Sequence, residues 1–473
     1  MNYYFLGIGG IGMSALARFF HQRGDSVSGY DRTPSPLTRQ LETEGIAIHY
    51  DDDPALLPAD IDMVVYTPAI PADNAEMQAL RQRGVTMHKR AEVLGELTHG
   101  KCCIAVAGTH GKTTTSSMIA HLLRQSDEGC SAFLGGICKN FDSNIVVDPK
   151  SRYVVVEADE YDRSFLQLHP HIAVITATDA DHLDIYGTHE CLLDAFRQFA
   201  SQVDADGKLI VKEGTFQSHD DSESDHHEEE HHHEERHHIQ LSTEGRRPTV
   251  EPTLTYTAHG IEADYYPWNV RHYGGNIFFD LRTPQGVFYD LQLSHTALYN
   301  VENAVAAAAV AMECGLNEHQ LRAGLKTFQG VRRRFDYQID SKELVFIDDY
   351  AHHPQEIAAA ISSVRYLYPD KRLVVVFQPH LYSRTRDFAG QFAEALTPAD
   401  EIVLLPIYPA REEPIPGVTS HLILHKIDKM SKYYCSVEQL FELLPALYPD
   451  VLLTLGAGDI DRLVPKIKKL MTE

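Results

Sequence analysis

Lys112 and Thr113 close the turn "AGTHGKTTT", which carries the parts that a nucleoside triphosphate needs. Backbone N–H groups from Gly108 to Lys112 form an anion-binding nest. Lys112 reaches the outer phosphates, and Thr113 offers a hydroxyl to a magnesium ion. The spacing departs from the general G-x-x-x-x-G-K-[ST] pattern, because Val106 stands where the early glycine belongs. A second turn, "GIGGIG", sets Gly7, Gly9 and Gly12 in a G-x-G-x-x-G, and Asp31 follows at about the distance that serves a ribose hydroxyl. This turn specifies a diphosphate-bearing ligand and does not separate NAD from UDP; a purely structural glycine turn is the plain alternative. Both loops in one chain point to one unit that holds the handle of a nucleotide-linked substrate while another holds ATP.

The elements around these loops read as α/β. "NYYFLGIG" is a short apolar strand, and "GMSALARFFHQRG" is a helix stopped at Gly24. "SVSGYD" and "DMVVYTPAI" resume as strands, and this first block closes near residue 98. The second block, 99–331, opens with strand "KCCIAVAG" and helix "KTTTSSMIAHLLRQ", followed by strands "RYVVVEADE" and "HIAVITATDADH". Beyond a His/Glu-rich stretch at about 217–240, read as a disordered insertion with no apolar face to offset its ordering, "TLTYTAHG" and "NVRHYGGNIFFDLRTPQGVFYDLQLS" suggest antiparallel strands. The third block, 332–473, repeats strand, loop and helix three times, as in a doubly wound sheet. Its polar clusters fall beyond strand ends, where such sheets bind ligands.

The net charge of −25 argues against nonspecific binding to nucleic acid. No run approaches the roughly 18 apolar residues of a membrane span, and the start lacks secretory features, so a cytoplasmic protein is expected. The seven cysteines are scattered without a C-x-x-C, which suits reduced thiols rather than zinc.

At these residues the chain resembles the Mur ligases, ATP-dependent enzymes that add amino acids to the muramyl precursor of peptidoglycan. The short loop "AGTHGKTTT" is the form that family uses. "LGIGGIGMSALA", "VEADEYDRSFL", "DADHLDIYG", "NVENAVAA", "RRFD", "DDYAHHPQEI", "FQPHLYSRTRD", "YPAREEPIPGV" and "LGAGDI" extend the resemblance over nearly the whole chain. It implies a Rossmann-like UDP-substrate domain at 1–98, a central P-loop ATPase domain with a mixed sheet at 99–331, and a Rossmann-like C-terminal domain at 332–473. "DDYAHHP" and "FQPHLYSRTRD" look most like the alanine-adding branch, whose substrates are UDP-N-acetylmuramate, L-alanine and ATP, with Mg2+ or Mn2+. A monomer or weak homodimer is expected.

The resemblance also implies roles. Gly7, Gly9, Gly10, Gly12 and Asp31 match the UDP-substrate side, with Thr67 and Ala69 beside the diphosphate or uridine, and Arg90 either a further contact or a surface ion pair. Gly108, Thr109, His110, Gly111, Lys112, Thr113 and Thr114 form the ATP loop. Thr113, Glu157 and His182 match magnesium positions, although His182 could instead order a water. Asn300 and Asn303 meet the adenine or order their helix, with an N-cap as the plain reading of Asn300. Arg333 and Arg334 match the arginines that join the third domain to the nucleotide, and Asp349 sits where that domain meets ATP. His352, His353 and His380 match positions near the amino acid, and Arg384 is the choice for its carboxylate. The proton from the attacking amine goes to His352, His353 or solvent. Lys112, Glu157, His182, His352 and Arg384 are the expected catalytic set.

Three rival readings remain. A recycling ligase would attach a preformed murein tripeptide to the same sugar nucleotide. A dinucleotide oxidoreductase would explain Gly7 to Gly12 but needs no Lys112. A noncatalytic regulator would not need Lys112, Glu157 and His182 together.

Overall fold

The computed structural model describes residues 1–180, 183–216, 251–258, 260, 262–410 and 412–472. The stretch expected at about 217–240 and His182 lie outside them.

The first sheet has five strands in the order Ala47–His49, Ser26–Tyr30, Asn2–Leu6, Met63–Tyr66 and Met87–Lys89, all parallel. The chain order reverses beside Asn2–Leu6, so a crevice opens beyond its carboxyl end, where the Gly7–Gly12 turn leads into helix Ile11–Gln22. Gly24 follows this helix with φ +93°, a left-handed stop that costs glycine little.

The second sheet has seven strands: Leu254–Tyr256, Lys208–Lys212, Ile172–Ile175, Cys102–Ala107, Tyr153–Glu157, Ser131–Cys138 and Ser143–Val146. Only the pair Ser131–Cys138 and Ser143–Val146 is antiparallel. The expectation for "TLTY" is therefore corrected. Leu254–Tyr256 extends the main sheet as a parallel edge on Lys208–Lys212. The strands Tyr266–Tyr273, Asn276–Thr283 and Gly286–Leu293 do form the expected antiparallel meander.

The third sheet runs Asp336–Asp340, Val345–Asp349, Val451–Leu455, Leu373–Phe377, Glu401–Leu404 and Lys432–Tyr434, and it is parallel except for its first pair. Helices Pro354–Leu367, Tyr382–Leu396 and Val464–Thr472 follow three of these strands.

Packing holds the blocks together around the site. Helix Lys112–Leu123 lies on Asn300–Glu313, whose alanines 304, 306, 307, 308, 309 and 311 are fully buried and allow close approach. One apolar cluster carries Phe20, from helix Ile11–Gln22 of the first block, and Phe133, from the second sheet. Arg18, 3% exposed, donates to Glu44 at 2.7 and 2.8 Å and to Asn144 across that boundary at 2.6 Å. Another cluster joins the alanine-rich helix to Phe335, Ile347 and Ile357 of the third block.

Candidate active site

The apolar strand Cys102–Ala107, buried between its neighbours, ends at Gly108. There φ is +133°, and a Cβ would lie 2.1 Å from Thr176 Oγ1. Gly111 has φ +81°, and its Cβ would meet Asn303 Oδ1 at 2.6 Å. Both positions demand glycine, so the late glycine belongs to the working form of this loop. Lys112 Nζ donates to Gly108 O at 2.5 Å and to Glu160 Oε1 at 2.8 Å. Thr113 Oγ1 donates to Glu157 Oε1 at 2.9 Å, and Gly135 N donates to Glu157 Oε2 at 2.8 Å.

These groups open onto a cavity of about 440 Å³. Thr109, His110, Gly111, Lys112, Thr113, Thr114, Glu157, Asn303, Arg334 and Asp349, all expected ATP or magnesium residues, line it. Gly108 is off its wall. Asn300 also stays off its wall. It follows the cap residue Tyr299, donates to Thr296 Oγ1 at 2.7 Å and accepts from Asn303 Nδ2 at 2.7 Å. It therefore orders the helix start rather than capping it.

The two arginines separate. Arg334 lines the cavity. Arg333, at φ +62°, turns into the third block, donates to Gly456 O at 2.8 Å and pairs with Asp461 at 3.4 Å. Both guanidinium groups lie 4.8 Å from the Tyr350 ring. Burial pushes Asp349 up to about 6 despite Arg334, and Tyr299 donates to it at 3.0 Å.

The first glycine turn borders a second cavity, of about 480 Å³. Gly7, Gly10, Gly12, Asp31, Thr67, Ala69 and Arg90 line it. Gly9 is behind the wall: its N–H donates to Asp31 Oδ2 at 2.8 Å, and a Cβ there would lie 2.6 Å from Thr38 Cγ2. Asp31 thus braces the turn. Arg90 lies over Gly12 and faces Asp159 of the second block at 3.5 Å. Glu157 borders both cavities.

A third group sits on the loops after Val345–Asp349 and Leu373–Phe377. The His352 and His380 rings meet edge to face at 5.9 Å, and His380 stacks on Tyr408 at 5.9 Å. Burial lowers His352 to about 4, with Glu356 opposing and Arg384 adding to the shift. His353 faces the Phe388 ring at 5.2 Å and the His110 ring at 6.3 Å.

Several further polar groups join the site without a motif in the sequence that assigns them to it. Lys212 and Glu302 pair at 2.6 Å on the 440 Å³ cavity, with Tyr299 and Asp179 nearby. Glu160 is fully buried against Lys112. Glu356 accepts from the His352 and His353 N–H groups at 3.0 and 3.2 Å. Its one sequence signal is the spacing from His353, which resembles a capping box before a proline-started helix.

Thr113 and Glu157 also suit a hard cation. Their donors are a hydroxyl and a carboxylate at a strand end. Burial disfavours the charge on Glu157 and raises its pKa, although Lys112 and Thr113 oppose this; a bound cation would favour that charge.

Comparison with known proteins places the chain in a family. Residues 2–101 match the Mur ligase family catalytic domain, 106–311 the Mur ligase middle domain, and 333–458 the Mur ligase glutamate ligase domain. The chain belongs to the Mur ligase family. Among Mur ligases, it is 48% identical to the UDP-N-acetylmuramate--L-alanine ligase of Phocaeicola vulgatus, over 99% of this chain and 98% of that one. The solved UDP-N-acetylmuramate-alanine ligase of Thermotoga maritima matches with a TM-score of 0.82 at 26% identity, over 100% of this chain and 99% of that one. The murein peptide ligase of Psychrobacter arcticus shares the fold, with a TM-score of 0.69 at 22% identity over 100% and 98% of the two chains.

Proposed function

We propose that this Mur ligase joins L-alanine to the lactyl carboxylate of UDP-N-acetylmuramate, consuming ATP and releasing ADP and phosphate. The observation that carries this reading is Glu157 standing on the wall of two cavities, one built on the Lys112 loop and one on the Gly7–Gly12 turn. A triphosphate in the first and a sugar nucleotide in the second bring two anions together at that residue. The likeness to alanine ligases over nearly full length favours alanine over a preformed tripeptide.

The carboxylate oxygen attacks the γ-phosphorus, the bond to the ADP oxygen breaks, and an acyl phosphate forms. The alanine amine then attacks the acyl carbon, phosphate leaves, and the amine proton passes to an acceptor. Lys112 must exchange Glu160 for the phosphates, and Arg334 adds a second cation on the same wall. Thr113 and Glu157 would hold magnesium, or manganese in its place, which supplies positive charge beside the phosphoryl group. Arg384 offers the alanine carboxylate a two-pronged partner. Burial lowers His352 to about 4, so it places no positive charge against the amine, whose proton passes to His352, His353 or solvent. Closure of the third unit, from about residue 332, on the units at 1–98 and 99–331 keeps water from the acyl phosphate. Among the described residues no helix is long and apolar enough to cross a membrane, and we assign the reaction to the cytoplasm.

Phosphate release from ATP should require UDP-N-acetylmuramate, alanine and magnesium together. Equal release without the sugar nucleotide refutes the reading. Faster turnover with tripeptide than with alanine assigns the chain to recycling.

A further inference from the structure

Glu356 touches two loops with two different oxygens. Its Oε2 accepts from the backbone N–H of His352 at 3.0 Å and of His353 at 3.2 Å, and lies 3.3 Å from His352 Nδ1. Its Oε1 faces Nδ1 of His110, on the ATP loop, at 3.6 Å. The other ring nitrogen of His110 faces Asp179 at 3.8 Å. Burial opposes the charge on Glu356, but His110, His352 and Arg334 overcome it and hold the carboxyl well below the usual range. One ionised carboxylate therefore spans the junction between the second and third blocks, beside the nucleotide cavity.

We propose that Glu356 is a positioning residue that couples the ATP loop, through His110, to the loop carrying His352 and His353, so that the amine site is aligned only on a correctly formed nucleotide loop. This rests on the alanine-ligase reading. A helix cap alone needs only an oxygen acceptor on residue 356, whereas coupling to His110 needs the charge.

Glu356→Gln separates the two roles, because the amide oxygen can still accept from both N–H groups. Steady-state rates of alanine-dependent phosphate release are measured for E356Q, H110Q and the double variant, with melting temperature as the check on folding. Coupling predicts that each single variant loses about tenfold in kcat, typical of residues in one network. The KM for UDP-N-acetylmuramate should stay unchanged, and the double variant should be no worse than the poorer single one. Wild-type kcat in E356Q, or losses that multiply in the double variant, overturns the coupling alone. If E356Q does not fold, H110Q is read by itself. A tenfold fall in kcat with unchanged KM for the sugar nucleotide supports the coupling, and a wild-type kcat overturns it. A wild-type protein that releases phosphate without alanine overturns the functional reading and the coupling with it.

Discussion

Replacing Lys112 by methionine changes two things at once, and the structure separates them. Lys112 is 15% exposed and Glu160 is fully buried, 2.8 Å away. Removing the lysine deletes the proposed phosphate contact and also takes from Glu160 the Lys112 charge. Removing one partner of a buried pair costs about 3–5 kcal/mol. Because Lys112 keeps some exposure, the lower end, about 3 kcal/mol, is expected for the nucleotide-free protein. Exchanging both groups, in Lys112→Met/Glu160→Gln, removes the uncompensated charge and should restore most of that loss. The single tryptophan, Trp268, lies in the central meander, so its fluorescence during urea unfolding reports the unit that holds the pair. Lys112→Met should shift the urea midpoint down, the double variant should recover it, and neither should release phosphate. A single variant as stable as wild type, or a double variant no better than the single, refutes the ion-pair argument. Full activity in either removes Lys112 from the ATP site.

Other substitutions test the remaining parts. Gly108→Ala forces a side chain into a left-handed backbone and onto Thr176 Oγ1, so a loss of about 2–5 kcal/mol and of turnover is expected; an unchanged melting temperature contradicts it. Gly12→Ala differs, because its Cβ would meet the flexible end of Arg90 at 2.7 Å. Stability should stay within about 1 kcal/mol of wild type, since alanine suits a helix, while the KM for UDP-N-acetylmuramate rises; an unchanged KM removes Arg90 from that site. Burial pushes Asp348 up to about 7, so it favours folding fully below its unfolded value of 3.8 and loses that contribution as pH rises through 7. Asp348→Asn should therefore gain on wild type between pH 4 and pH 8, by at most about 4 kcal/mol. A difference in urea stability that does not vary with pH refutes this.

Local demands made much of the site readable from the chain. Gly7, Gly108 and Gly111 occupy backbone conformations that glycine adopts cheaply; the first two directly follow apolar strands, and Gly111 precedes helix Lys112–Leu123. Long-range geometry was not readable. Arg333 and Arg334 are adjacent and chemically alike, yet a left-handed φ at Arg333 sends one to Gly456 and leaves the other on the cavity. Asp31 has the spacing of a ribose partner, but its carboxylate also holds the Gly9 N–H. Alternation in "TLTY" indicates a strand without telling its direction, which depends on a partner some forty residues earlier in the chain. Glu356 looks like a helix cap from its spacing, and only the packing of two blocks brings His110 to its other oxygen.

Phosphate release by the purified protein, with each of UDP-N-acetylmuramate, L-alanine and ATP omitted in turn, tests the alanine-ligase function head-on. Stoichiometric ADP, phosphate and alanylated sugar nucleotide should form only when all three are present with magnesium. ATP turnover that persists without the sugar nucleotide, or a complete mixture that gives no alanylated product, contradicts it.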